Sequence, residues 1–345
     1  MRCRWLLAGA LITLAGAGCG SGTDSGENPA AAGARTLTDQ DGTTIELPAH
    51  PKVAASIGAY AQIIALVGGE NQLVASIPGL SDMFHTVWPD ANAEGYDSSN
   101  VEEVIASGAD VIVGPSFTDE EKTQLEAAGV EPFVIDTFAS VDDMKNVVSL
   151  IADVVGGTAP EVADEFAAYY DGNIEYVRER TASVPADQRV RLLNLRMNAG
   201  AYSTVTGADI SAAYATAAGA DFVSQDVTAE GISTPIDAEQ VIAWAPQVIF
   251  TMGTDTREAI VADPALATVP AIADGKVFVE PAGTYPWSVR SAEGALAPLF
   301  LATILYPEIF TELSLADETK EFYQQFYDYT LTDDEVALIL AGSLW

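Results

Sequence analysis

A helix-then-strand pattern occurs twice in this chain, and it restricts the possible folds more than any other feature. Residues 101–113 read Val-Glu-Glu-Val-Ile-Ala-Ser-Gly-Ala-Asp-Val-Ile-Val, and residues 238–250 read Ala-Glu-Gln-Val-Ile-Ala-Trp-Ala-Pro-Gln-Val-Ile-Phe. In each copy an apolar helix face precedes a short loop and a run of β-branched residues, as in an α/β unit. The alternative is a chance likeness between two acidic, aliphatic helices. Two genuine copies predict two similar α/β lobes, with a ligand cleft at the carboxyl ends of their strands.

The first residues have the composition of an export signal. Arg2 and Arg4 precede an uncharged apolar run that is too short for an ordinary membrane span, and small residues follow up to Cys19. Residues 1–18 are therefore predicted to be a signal peptide. Residues 19–34, rich in Gly, Ser and Ala, are predicted to be a lipidated cysteine followed by a flexible tether.

The segment Gly-Ala-Gly-Cys at residues 16–19 resembles a bacterial lipobox, although Gly16 stands where such motifs usually have Leu. The resemblance implies that the mature protein is exported and anchored by a lipid on Cys19 to the outer face of the cytoplasmic membrane, or lies in the periplasm. The alternative is an ordinary secretory peptide that is cleaved nearby.

Cysteine count and charge exclude several classes of protein. Cys3 leaves with the predicted signal, so the mature chain keeps only Cys19 and has no internal disulfide. The formal net charge of −35 repels nucleic acids and anionic lipids. A solvated acidic surface explains this charge, and a preference for cationic cargo is the alternative. Because 49% of the residues are hydrophobic, the fold is expected to depend on its core alone.

The order of strand and helix signals predicts an α/β fold of two lobes and a connector. A hairpin is expected around Asp41-Gly42, and strands alternate with helices up to Asp136, which predicts a parallel sheet. Residues 160–180 have early acids, late arginines and an apolar stripe, as in a long helix. The predicted units are an N-terminal lobe (35–139), a helical connector with an interlobe helix (140–182) and a C-terminal lobe (183–345). In the C-terminal lobe, strands are expected at 190–195 and near 248–252 and 277–279, and helices at 292–305 and 317–327.

Several segments, in this order, resemble a known family. They are 38–48 entering a strand, the helix with Glu102-Glu103 before 109–113, the run 285–293 (Tyr-Pro-Trp-Ser-Val-Arg-Ser-Ala-Glu), 306–310 (Tyr-Pro-Glu-Ile-Phe) and 321–327 (Glu-Phe-Tyr-Gln-Gln-Phe-Tyr). The chain resembles the iron-siderophore, haem and cobalamin receptors, which are substrate-binding proteins of ABC transporters. The resemblance covers about residue 35 to the end.

This resemblance implies two α/β lobes joined by one long helix, a shallow cleft that holds a metal complex, and delivery of that cargo to an ABC permease and its ATPase. The expected ligand is a ferric chelate, haem or cobalamin, with no resident cofactor or metal and a monomeric protein. Receptors of this kind often present an acid from the first helix of each lobe to the permease. Here the position in the first lobe is Gln62, and residues 211–214 of the second lobe contain no acid; Glu70 or Asp209 are possible substitutes.

Candidate ligand contacts come from loops that follow strands, where side chains of both lobes converge. Aromatic side chains suit planar or apolar ligands, and arginine pairs with carboxylates and oxyanions. The candidates are Tyr60, Phe84, His85, Trp88 and Ser116 in the first lobe, and Arg196, Met252, Tyr285, Trp287 and Arg290 in the second.

Six of these candidates also have a structural explanation. Arg196 follows an apolar strand in a chain with few cations, and its alternative role is a salt bridge to a neighbouring acid. The alternative role of Arg290 is an ion pair with Glu293, three residues further along the chain. His85 is either an axial metal ligand or a loop hydrogen-bonding group. Phe84 and Trp88 suit a lobe core equally well, and Met252 is more typical of packing.

Competing functions remain open at this point. A receptor for bare zinc or manganese needs several histidines, and the mature chain has only His50 and His85. A receptor for a molybdate-type oxyanion would use Arg196 and Arg290. An exported enzyme is not expected, since the chain has no Gly-x-Ser-x-Gly, His-Glu-x-x-His or phosphate-loop motif. A surface protein without a small ligand would have a cleft filled by side chains.

Overall fold

A computed structural model describes residues 33–91, 95–136, 140–228 and 233–344. The predicted signal peptide, Cys19 and the tether up to residue 32 lie outside the described residues. In the parts of the chain that are described, no helix is both long and apolar enough to cross a membrane.

The first lobe begins with an antiparallel hairpin and continues into a parallel sheet. Gly42 has a φ of 85° in the hairpin turn, so the hairpin predicted around Asp41-Gly42 is confirmed. The sheet has four strands in the order β4-β3-β5-β6, and their carboxyl ends lie at one edge. The strands are β1 (Arg35–Thr38), β2 (Thr44–Leu47), β3 (Val53–Ala55), β4 (Leu73–Ala75), β5 (Val111–Gly114) and β6 (Glu131–Val134).

Four helices cover this sheet, and three of them begin with a side-chain cap. Thr118 and Glu121 form a capping box at one helix, and Asn100 caps another. Ser81 accepts a hydrogen bond from the N–H of Phe84 at 3.1 Å, so the segment expected to be an aromatic loop is a short helix. The helices are α1 (Gly58–Leu66), α2 (Asp82–Val87), α3 (Val101–Ser107) and α4 (Asp119–Ala127).

Two helices form the connector, α5 (Val141–Val155) and α6 (Ala159–Thr181). Gly156, at a φ of 77°, ends α5, and Pro160 lies in the first turn of α6. The long helix predicted for residues 160–180 is therefore confirmed. The α6 helix packs along α5, and its Tyr170 hydroxyl donates a hydrogen bond to the Tyr214 hydroxyl of the second lobe at 2.6 Å.

The second lobe contains a six-stranded mixed sheet, in the order β10-β8-β7-β11-β12, with β9 also paired to β7. The parallel strands β7, β11 and β12 were predicted, whereas the antiparallel β8 and β10 and the short β9 were missed. Ala199 and Gly200 have φ values of 49° and 81°, and this tight turn sends the chain straight back beside β7. The strands are β7 (Arg191–Asn198), β8 (Ala201–Val205), β9 (Asp221–Phe222), β10 (Ser233–Ile236), β11 (Val248–Thr251) and β12 (Val277–Val279).

The helices of the second lobe pack on both faces of its sheet. The helix expected from Ala292 to Leu305 begins instead as a 3-10 turn over Ala292–Leu296 and becomes α-helical at Ala297. The last helix was not predicted. The helices are α7 (Ile210–Ala217), α8 (Ala238–Trp244), α9 (Thr254–Ala262), α10 (Pro270–Ala273), α11 (Ala297–Leu305), α12 (Leu315–Phe326) and α13 (Asp333–Leu340).

The sequence repeat corresponds to a structural repeat. α3 leads into β5 and α8 into β11, and both strands lie inside their sheets. The residue after each helix is left-handed: Gly108 at a φ of 69° and Ala245 at a φ of 44°. The two copies therefore share their helix, their strand and the way the helix ends.

One hydrophobic core runs through both lobes. It joins the inner faces of the two sheets to the buried side of α6, where Phe166, Tyr170 and Val177 are fully enclosed. Smaller apolar clusters lie on the outer face of each sheet. Burial of this continuous core holds the lobes together, since each buried apolar side chain contributes about 1.5–3 kcal/mol.

Candidate functional site

Loops that follow strands in both lobes meet beside the start of α1. The Tyr285 ring of the second lobe lies against Gly58 of the first, and a Cβ atom on Gly58 would come within 2.9 Å of Tyr285 Cε2. The Ser81 hydroxyl lies 3.0 Å from the carbonyl oxygen of Gly283. The carboxyl edge of each sheet therefore contributes to one interlobe region.

Three side chains form a row at the edge of the second sheet. Phe250 is paired with Asn194 on one side and with Phe278 on the other. Two residues further along these strands come Arg196, Met252 and Glu280, which the alternation of a sheet places on the same face. Arg196 and Met252 are half-buried, and Glu280 is 3% exposed.

Glu280 lies in the electrostatic field of Arg196. Its Oε2 accepts a hydrogen bond from the N–H of Ser288 at 3.1 Å, whereas Oε1 has no partner among the described residues. Burial raises the pKa of Glu280 to about 7, and Ser288 and Arg196 oppose that rise. Arg196 has a buried Nε atom that meets no acceptor within the described ranges. Unpaired buried donors and acceptors at one place are typical of a site for a polar ligand or water.

Arg290 is held by the second buried acid of this region. Its Nη2 donates to Asp209 Oδ2 at 3.0 Å, and the exposed fractions of the two side chains are 19% and 4%. Asp209 also caps α7 through Ser211. Arg290 has a φ of 50°, which costs a bulky residue about 1–2 kcal/mol. Arg290 therefore pairs with Asp209 and not with Glu293, and its positive charge opposes the burial that raises the pKa of Tyr285.

Tyr60 is a correction to the predicted site. Its side chain is fully buried, and its hydroxyl donates to the carbonyl oxygen of Ile135 at 2.6 Å. Burial raises the pKa of Tyr60 far above its ordinary value. Tyr60 joins α1 to the end of β6 and offers no surface to a ligand in this conformation.

The aromatic cluster of the first lobe is also a correction. Phe84 is fully buried and Trp88 is 7% exposed, with their ring centroids 4.9 Å apart. Trp88 packs edge-on against Tyr327 at 4.6 Å, on the side of the lobe where α12 ends. His85 is half-buried on α2. Within the described ranges, no group of three or more His, Cys, Asp or Glu side chains is arranged to hold a metal ion.

Trp287 is a core residue as well. It is fully buried, and its Nε1 donates to Glu293 Oε2 at 2.8 Å. Three other predicted contacts keep accessible surface: Ser116 is exposed after β5, and Met252 and Tyr285 are half-buried. Arg196, Met252, Tyr285 and Arg290 thus keep accessible surface in the second lobe.

Gln62 is part of a buried interlobe network. It is fully buried on α1; its Nε2 donates to Thr284 Oγ1 at 2.7 Å, and its Oε1 accepts from the N–H of Ala292 at 2.8 Å. Glu293, next to it, accepts hydrogen bonds from Thr284, Trp287 and Tyr323. The position expected to face a permease is therefore enclosed between the lobes.

A separate open groove of about 750 Å³ runs between α6, α7 and the start of α5. Asp171, Glu175 and Arg178 of α6 line one side, and Ala213 and Thr216 of α7 line the other. None of the side chains predicted from the sequence lines this groove.

Two acids of the site were not found from the sequence. Glu280 directly follows β12, so the rule that ligand contacts follow strands would have selected it. Arg196, which that rule selected, lies inside β7 and is paired with Ser203 of β8, because the strand continues to Asn198. Asp209 was considered only as a possible docking acid. Its role beside Arg290 depends on a contact 81 residues along the chain, which no local pattern contains.

Two α/β lobes, one joining helix and a charged interlobe region define a solute-binding protein of the long-helix type. A sequence profile described as "Periplasmic binding protein" matches residues 53–283, and the chain belongs to this family. The family consists of binding proteins and not of enzymes, and membership places the protein outside the cytoplasm.

Particular relatives support the same assignment. The chain is 27% identical over 230 residues to the molybdate-binding protein MolA of Haemophilus influenzae, covering 65% of this chain and 58% of that protein. The chain thus spans less than two thirds of the length of that relative. The solved structure of MolA bound to molybdate superposes with a TM-score of 0.74 at 22% identity, covering 86% and 99% of the two chains. A periplasmic solute-binding protein from Veillonella parvula gives a TM-score of 0.75 at 22% identity over 90% and 98%.

Proposed function

We propose that this protein is the extracytoplasmic receptor of an ABC importer and binds an anionic solute between its lobes. The supporting observation is the pair of half-buried arginines, Arg196 and Arg290, at the edge of the second sheet. Arginine donates in a planar fork that matches carboxylates and oxyanions. The bound solute is delivered to a membrane permease that is driven by its ATPase.

A molybdate-type oxyanion is the first candidate for the cargo. The aromatic side chains expected to support a planar ligand, Phe84, Trp88 and Trp287, belong to the core, which leaves a small polar site. The similarity to a molybdate-binding protein favours the same class of anion. A compact tetrahedral anion needs little apolar surface and several donors, which the arginines and loop N–H groups supply.

A ferric chelate with carboxylate groups is the second candidate, and haem or cobalamin belong with it. The half-buried Tyr285 and Met252 favour it, because they add apolar surface beside the arginines. A catecholate or citrate complex would place its negative groups on Arg196 and its body against Tyr285.

Calorimetric titration of the mature protein tests this proposal. The panel contains molybdate, tungstate, sulfate, ferric citrate, a ferric catecholate, haem and cobalamin. Saturable binding of an anion in the micromolar range or tighter is expected, and binding of cobalamin alone would contradict the anion site.

Arg196→Ala is the informative variant. Loss of a charge-assisted pair should weaken anion binding at least about tenfold, since hydrogen bonds to charged groups contribute about 1.5–3 kcal/mol. The matched control is Arg189→Ala, an exposed arginine before β7. Equal weakening in both variants, or an equal fall in unfolding free energy and affinity for Arg196→Ala, would remove Arg196 from the site.

We also propose that Cys19 carries a lipid and anchors the protein to the outer face of the membrane. The support is the lipobox-like segment and the short apolar run before it. Cells grown with a labelled fatty acid should label the wild-type protein and not Cys19→Ala. Equal labelling of the two would contradict the anchor.

A further inference from the structure

We propose that Glu280 binds the solute in its protonated form and donates a hydrogen bond to a fully deprotonated oxyanion held by Arg196. Anion binding would then be coupled to the uptake of one proton at Glu280. This inference rests on the proposed function and adds to it a residue that selects among anions.

The hydrogen bonds of Glu280 support this role. Its carboxyl group is 3% exposed, and one oxygen accepts the Ser288 N–H while Oε1 meets no donor in the described part of the chain. An ionised oxygen that is buried without donors is costly. A protonated carboxyl in the same place needs only an acceptor, and an oxyanion on Arg196 would supply one.

The charges around Glu280 lead to the same result. Arg196 faces it from β7, Asp209 faces it from the cap of α7, and Arg290 is paired with Asp209. The remaining titratable neighbour is Tyr214 of α7, a phenol that burial keeps neutral. When Glu280 is ionised, the charges of the two arginines and the two acids sum to zero. Protonation of Glu280 leaves one net positive charge, which favours a dianion.

Asp209 cannot take this role. Its Oδ1 accepts from the N–H and the hydroxyl of Ser211, and its Oδ2 accepts from Arg290. Both oxygens therefore need the ionised form. Of these two acids, Glu280 is the one whose Oε1 meets no donor in the described residues.

Proton uptake by Glu280 needs little free energy near neutral pH. Burial raises its pKa to about 7, so the carboxyl is partly protonated before an anion arrives. A bound anion raises the pKa further. By linkage the anion binds more tightly when the proton is present, so affinity falls by up to about tenfold per pH unit above the pKa.

Anion selection follows from the direction of the hydrogen bond. Molybdate and sulfate carry no proton at neutral pH, and each of their oxygens accepts. Hydrogen phosphate has an O–H group that would meet the donors of Arg196 and protonated Glu280, and two donors that face each other cost affinity.

Calorimetry of molybdate binding in two buffers of different ionisation enthalpy measures the proton uptake. Between about pH 6 and about pH 8.5 the wild type should lose affinity at least about tenfold and take up close to one proton at the upper end. Glu280→Gln keeps a donor in place and should bind with no proton uptake and little pH dependence. The matched control Glu239→Gln, an exposed acid on α8, should behave as the wild type.

The outcomes separate the two proposals. Failure of the wild type to bind any anion of the panel at either pH overturns the proposed function. Molybdate binding by the wild type without proton uptake overturns only the role of Glu280, and this result needs no variant to fold. Proton uptake that persists in Glu280→Gln overturns that role as well.

Discussion

Arg290 forms an ion pair with Asp209 at the edge of the second sheet, and Arg196 lies in the electrostatic field of the second buried acid, Glu280. The ion pair with Asp209 holds Arg290 in place before a solute arrives. Pairing with acids was the structural alternative for these arginines. The ion pair with Asp209 orients Arg290, and Arg196 keeps a donor, its Nε, that meets no acceptor among the described residues.

Gly58 is a second position where one residue shapes the site. An alanine Cβ there would lie 2.9 Å from Tyr285 Cε2 and 3.3 Å from Leu80 Cδ2. Gly58→Ala should therefore displace Tyr285, cost about 1–3 kcal/mol in urea unfolding and weaken anion binding.

The matched control for Gly58→Ala is Gly172→Ala. Gly172 lies inside α6, and no atom comes within 4 Å of the added Cβ. This variant should gain up to about 1 kcal/mol because alanine favours the helix. Unchanged affinity in Gly58→Ala would contradict the contact between Tyr285 and α1.

The arginines of the site could be identified from the sequence. Whether the aromatic residues belong to the core or to the cleft could not. Arg196 was identifiable because cations are few and it directly follows the apolar run Leu192–Leu195. Trp287 and Phe84 lie in equally suitable segments. Their burial depends on contacts such as that of Ser81 with Gly283, 202 residues apart, which leave no local pattern.

At the scale of elements, the repeated unit and the long helix were predictable because their periodicity and end signals lie within a few turns of chain. β8, β9 and β10 were not, because they have two to five residues and their pairing is set by tertiary contacts. The turn at Ala199-Gly200 is the signal that would have indicated the β7–β8 hairpin.

The helices of the two repeat copies end in the same backbone conformation, which predicts opposite stability effects for substitutions at the two ends. Ala245 ends α8 in the left-handed region where Gly108 ends α3. Ala245→Gly should stabilise the protein by about 0.5–1 kcal/mol, and Gly108→Ala should destabilise it by about 1 kcal/mol. Both changes are measured by urea unfolding with the m-value held constant. Effects of the same sign would contradict the shared ending.

At the scale of the molecule, one core and one buried polar network join the lobes. Gln62 of α1 reaches the loop before α11, and Asn173 of α6 donates to the carbonyl oxygen of Ala295 at 2.9 Å. The segment 281–296 therefore contacts the first lobe and α6 as well as its own sheet. Large opening of the lobes would break these bonds, so we expect solute binding with little hinge motion.

Gln62→Glu tests the interlobe network. Gln62 Nε2 lies 3.4 Å from Glu293 Oε1, and burial already raises the pKa of Glu293. A second carboxyl there should cost about 3 kcal/mol at neutral pH, with less cost at low pH, where both groups are protonated. Glu70 lies in the turn between α1 and β4, where its Oε1 accepts a hydrogen bond from Asn71, so Glu70→Gln is a control outside the network. A neutral effect of Gln62→Glu would contradict the enclosed position of Gln62.

An anion bound between the lobes on Arg196 and Arg290 can be located in crystals. Crystals of the protein are grown with tungstate and measured at the tungsten absorption edge. An anomalous peak within hydrogen-bond distance of both guanidinium groups is the expected result. A protein that binds tungstate in solution but shows its peak elsewhere, for example in the groove between α6 and α7, would contradict it.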